Sequence, residues 1–88
     1  MFRLWAKIFQ DNHLQKDTVI CDASNDTRTQ KVFHALREAC VQFDLSEPIW
    51  LDSNIQEFKR LSKTRFIQDS FIEQIDFDYL EIHMIEED

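Results

Sequence analysis

Phe2-Arg3-Leu4-Trp5-Ala6-Lys7-Ile8-Phe9 alternates without a break. Phe2, Leu4, Ala6 and Ile8 fall on one side of an extended chain, and Arg3, Trp5, Lys7 and Phe9 on the other, because successive side chains of a strand point to opposite faces. One side is wholly apolar. The other interleaves two cations with two aromatic rings. Asp11-Asn12-His13 follows and reads as a turn, since Asp and Asn tolerate turn dihedrals and bond their own backbone. Lys16 to Asp22, centred on Thr18-Val19-Ile20-Cys21, is the returning strand of a hairpin.

Beyond the hairpin the hydrophobic period changes from two to helical. Thr27-x-x-Gln30 has the capping-box spacing, in which the threonine oxygen accepts from the amide three residues on. Val32, Phe33, Leu36, Ala39, Cys40 and Phe43 then form an apolar stripe, with Thr27, Lys31, His34, Glu38 and Gln42 on the opposite side. Pro48 excludes helical dihedrals at Glu47, so the segment Asp44-Leu45-Ser46-Glu47-Pro48 ends this main helix. Ile49-Trp50-Leu51 reads as a buried extended connection. Asp52 or Ser53 caps a short second helix bearing Ile55, Phe58 and Leu61, with Ser53-x-x-Gln56 as a further capping box. Residues 64–68 allow a short strand, and residues 69–76 allow several readings. Tyr79 to Glu86 is the last strand, with Leu80, Ile82 and Met84 on one side and Tyr79, Glu81, His83 and Ile85 on the other. The expected fold is a single α+β domain over residues 1–88. It comprises an N-terminal β-hairpin, a main amphipathic helix, a short second helix and a C-terminal strand that joins the sheet beside the first, as in a β-grasp-like layer.

Composition narrows function by exclusion. The chain has 88 residues and no glycine, where average usage of about 7% gives roughly six. Phosphate-cradling loops, the dinucleotide fingerprint, the EF-hand loop and the serine nucleophile elbow all require glycine. The start of the chain carries Arg3 and Lys7 and lacks the apolar stretch of a secretory signal, and no run approaches the roughly 18 apolar residues of a membrane span. Cys21 and Cys40 both lie in apolar patterns and read as buried free thiols of a cytoplasmic protein. His34 and Glu38 are four apart, a solvated helical pair rather than a metal site, because two ligands do not make one. No catalytic, cofactor or metal constellation is assigned, and the chain reads as a non-enzyme.

The net charge of −7 is unevenly placed. All ten basic residues and nine acids lie within residues 1–68, whereas residues 69–88 carry eight acids and no Lys or Arg. Lys59, Arg60, Lys63 and Arg65 crowd together just before the acidic end. Either the two regions neutralise each other in the fold, or they present patches of opposite sign to partners. Trp5, Phe9 and Tyr79, with Trp50 and Ile85, are more large side chains than one side of a small sheet easily hides. The favoured reading is therefore a protein-interaction module with a protein partner, a second copy of the chain included. The alternative is weak nucleic-acid binding through Lys59, Arg60, Lys63 and Arg65, a cluster flanked by Phe58 and Phe66.

The runs Phe43-x-Leu45-x-x-Pro48-Ile49-Trp50-Leu51-Asp52, Ser62-Lys63-Thr64-Arg65-Phe66 and Asp76-Phe77-Asp78-Tyr79-Leu80-Glu81-Ile82 resemble those of an uncharacterised family of short bacterial proteins, over the full chain. That resemblance implies a bacterial cytoplasmic setting and carries over no catalytic residues.

Overall fold

The hairpin closes without glycine. In the structure, a computed structural model that describes residues 1–87, β1 (Phe2–Gln10) and β2 (His13–Asp22) are joined by Asp11 and Asn12 alone, at φ 53° and 65°. A two-residue hairpin loop whose twist matches its strands needs positive φ at both positions, and Asp and Asn are the non-glycine residues that accept it most readily. Asp78 accepts from the Asp11 amide at 2.9 Å and ties the turn to the far end of the chain. Because the turn is so short, the returning strand begins at His13, opposite Gln10, and not at Lys16.

Helix α1 (Arg28–Phe43) starts where the capping spacing places it, with the Thr27 hydroxyl accepting from the Gln30 amide at 3.2 Å. It ends at Phe43, five residues before Pro48. Asp44 takes the left-handed conformation, its amide donating to Val41 O at 3.2 Å while the Leu45 amide donates to Cys40 O at 2.8 Å. This pair of bonds is the Schellman closure. Two residues of the helix, Lys31 from the polar side and Phe33 from the apolar stripe, are not where the pattern placed them. Lys31 is buried and Phe33 is 41% exposed. The face that meets the sheet is centred on Ala35 and Ala39, whose small side chains allow close approach, and Lys31 lies in their i, i+4 row whereas Phe33 falls at the edge.

The connection 49–51 is less buried than its composition suggests. Trp50 packs inward while Ile49 and Leu51 remain exposed. Helix α2 (Asp52–Leu61) is capped from the other direction to that expected. Neither Asp52 nor Ser53 caps it; Leu51 stands at the cap position and its amide donates to Asn54 Oδ1 at 3.1 Å. Asn54 is buried and fully engaged, its Nδ2 donating to Thr64 Oγ1 and to Arg65 O, each at 2.9 Å, and its Oδ1 also accepting from Ser70 Oγ at 3.4 Å. One amide thus ties α2, β3 (Lys63–Phe66) and the 3-10 turn Gln68–Ser70 together.

β4 (Tyr79–Glu86) enters between β1 and β3, giving the order β2-β1-β4-β3 with every pair antiparallel. The last strand lies beside the first, as expected for this α+β layer. The core joins Phe2, Leu4, Ala6, Ile8, Ile20, Phe66, Leu80, Ile82 and Met84 of the sheet to Val32, Leu36, Cys40 and Phe58 of the helices. Both helices therefore cover the same face. No helix among the described residues is long and apolar enough to cross a membrane.

Candidate interaction face

The opposite face of the sheet is uncovered, and its register arranges the outward side chains in rows. Val19, Trp5, His83 and Lys63 stand in one row across the four strands, and Asp17, Lys7, Glu81 and Arg65 in the next. Leu14, Phe9 and Tyr79 form a third, where a bulge after Ile8 shifts the pairing. Glu81 is the centre of this surface. It is 8% exposed even though it lies on the open side, because Lys7 Nζ meets one carboxylate oxygen at 2.9 Å and Arg65 Nε the other at 3.2 Å. The same cations also lie on rings, Lys7 Nζ being 3.8 Å from the Trp5 centroid and Arg65 Cζ 4.5 Å from that of Tyr79. Tyr79 stacks on Phe9 at 5.1 Å, and Trp5 Nε1 donates to Asp17 at 2.9 Å. The rings are therefore held by several contacts each, at about 0.5–1 kcal/mol per exposed cation–π contact.

Ionisation follows from this geometry. Burial works against the Glu81 carboxylate, yet the hydrogen bonds from Lys7 and Arg65 and their positive charges prevail, and its pKa lies below the ordinary glutamate value. His83 is lowered too, but in a base this favours the neutral form: burial first, then Lys7 and Lys63, lower its pKa, with Glu81 opposing them. On the other side of the sheet, burial and Glu47 push the Cys40 thiol up to about 12, which leaves it protonated. Cys21, expected in the interior, is exposed; it stands opposite Arg3 on the outward side of β2.

The basic segment does not form one patch. Lys59 and Arg60 lie in the last turn of α2, whereas Lys63 and Arg65 point outward from β3 onto the open face, since the chain passes from a helical to a strand period between them. Arg65 joins Trp5, Phe9 and Tyr79, but Lys59 and Arg60 do not. Phe58 and Phe66, which flank the segment, are buried in the core at 7% and 0% exposure. The C-terminal acids serve mainly the N-terminal half. Glu86 pairs with Arg3 at 3.0 Å and with the Met1 amine at 3.2 Å, and Glu87 pairs with Arg28 at 3.1 Å. Of the four cations at 59–65, Arg65 alone has an ion pair among the described residues. His34 lies 3.7 Å from Asp26, a residue that precedes its helix, and not against Glu38. Among the described residues no three His, Cys, Asp or Glu side chains converge as metal ligands do.

Asp17 and Val19 belong to this face and escaped the sequence reading, whereas His83 was placed on the outward side of the last strand but not among the candidate residues. The β-branched run at 18–21 concealed which side of β2 was outward, although Ile20 alone of that run is buried. Comparison with family models, curated proteins and solved structures returned no match, so the functional argument rests on the chain's own residues.

Proposed function

We propose that this chain is a cytoplasmic protein-interaction module that self-associates through the open face of its sheet. The observation that carries the reading is an uncovered sheet face with aromatic residues held in place and its central charges already paired. Paired cations exert little pull on phosphate, whereas half-exposed Trp and Tyr held in fixed positions are the side chains that anchor protein interfaces. The row Asp17-Lys7-Glu81-Arg65 also alternates in sign. Read in reverse it is its own complement, so a second copy related by a two-fold axis sets each charge against its opposite. Two unbridged thiols, one of them exposed, fit a reducing compartment.

Size-exclusion chromatography with light scattering across micromolar concentrations tests the proposal. Wild type is expected to shift toward twice the monomer mass as concentration rises, and Phe9→Glu, which leaves the core intact, to remain monomeric. A strict monomer throughout, or a Phe9→Glu protein that still dimerises, sinks it. A second reading draws on Lys59, Arg60 and Lys63, which make no ion pair among the described residues. Saturable, salt-sensitive binding of a single-stranded oligonucleotide that is lost in Arg60→Gln and Lys63→Gln would support that reading over the first.

A further inference from the structure

On the helix side, between the first turns of α1 and the body of α2, lies a groove of about 370 Å³. Val32, Phe33, Trp50, Ile55 and Phe58 line it. The Trp50 ring meets Phe33 at 6.0 Å and Phe58 at 5.7 Å, both edge-to-face, so part of the groove wall is a connected aromatic cluster. Two charged groups also line it, Arg28 from α1 and Lys59 from α2, and both are cations. In a chain of net charge −7 this is a local reversal of sign. Lys59 has no ion pair among the described residues. Arg28 is held through one nitrogen by Glu87 at 3.1 Å, with both side chains nearly half exposed.

We propose that this groove binds a small amphipathic carboxylate, its apolar body lying against Trp50 and Ile55 and its carboxylate held between Lys59 and Arg28. The volume falls in the range of small-ligand sites, which combine a mostly apolar lining with a few placed polar groups. Cations on two sides, with no acid among the lining residues, select an anion over a neutral molecule of the same shape. The planar guanidinium offers a fork to a carboxylate, and the ammonium a point charge. Glu87 already shows that Arg28 accepts a carboxylate in this position, and it acts as the internal competitor that a ligand displaces or joins. The inference is independent of the open sheet face, which lies on the other side of the molecule.

Sodium octanoate and 1-octanol, equal in chain length and different in charge, are the probes. Binding is followed by calorimetry on the wild-type chain and by tryptophan emission in Trp5→Phe, where Trp50 is the remaining reporter. Octanoate is expected to bind saturably in the millimolar range, with octanol about tenfold weaker for want of the charged contacts. Lys59→Gln and Arg28→Gln, both at exposed positions, are each expected to weaken octanoate severalfold while leaving octanol unchanged. Circular dichroism checks that each variant is folded. No saturable change with octanoate, equal affinity for octanol, or octanoate binding indifferent to both substitutions overturns the proposal.

Discussion

Replacing Glu81 with glutamine keeps the shape of the side chain and removes its charge, leaving Lys7 and Arg65 without their shared partner. Taking one member from a buried ion pair costs about 3–5 kcal/mol, because the other charge stays behind uncompensated. Three features of the open face reduce that figure. The Arg65 side chain is 60% exposed, so its arm is worth little in water. Asp17 lies directly across from Lys7 on β2, and the Trp5 ring sits beneath the Lys7 ammonium. What remains is the Lys7 arm, with both side chains about nine-tenths buried. A loss of about 2–3 kcal/mol follows, or roughly 10–20 °C in Tm for a domain of this size. The pH dependence has a definite sign. The folded-state pKa of Glu81 lies below its unfolded value, so its contribution is complete above the unfolded glutamate value near about 4.3 and is lost as pH falls through the depressed folded value. The gap between wild type and Glu81→Gln should therefore be constant near neutrality and close below about pH 4. Urea melts of both proteins at a neutral and an acidic pH, with thermal melts at neutrality, measure it. A Tm within about 3 °C of wild type at pH 7, or a gap as large in acid as at neutrality, refutes the account of this face.

Asn54→Ala removes four hydrogen bonds that join α2, β3 and the 3-10 turn, and should lower stability by about 2–4 kcal/mol with an unchanged denaturant slope. Left-handed residues give a paired prediction. Asp44→Gly should raise stability by about 1 kcal/mol, since glycine carries no Cβ at φ 57°, while Asn12→Val at φ 65° should lower it by about 1–2 kcal/mol. Equilibrium unfolding of the two variants checks both signs, and a stabilised Asn12→Val would contradict the observed turn.

Periodicity carried most of the architecture. The inward sides of β1 and β4 were readable because strict alternation leaves one assignment of faces, and a buried face punishes a one-residue slip. The start of α1 was readable because a cap is a local contact between residues three apart. The lack of glycine was informative too, but its structural outcome was not. The chain still needs left-handed residues, and it places Asp11, Asn12, Asp44 and Ser62 there. Only the first two were marked as a turn. The cap of α2 was misplaced because Asn54 answers to Thr64, Arg65 and Ser70, ten to sixteen residues away, and not to its neighbours alone.

The candidate site divides along the same line. That Trp5, Phe9 and Tyr79 would be outward on strands follows from a two-residue period, which is a property of the chain itself, whereas Arg65 was legible only as part of the basic 59–65 segment. That they meet, and that Lys59 and Arg60 do not join them, depends on strand order, register and the face the helices choose. Those choices minimise exposed apolar area over the whole molecule, so no local window contains them. The eight C-terminal acids could be counted from the sequence alone. The pairing of Glu81, Glu86 and Glu87 among them with Lys7, Arg3, the Met1 amine and Arg28 was decided when β4 lay antiparallel to β1, because ion pairing acts over a few ångströms of space and is indifferent to distance along the chain.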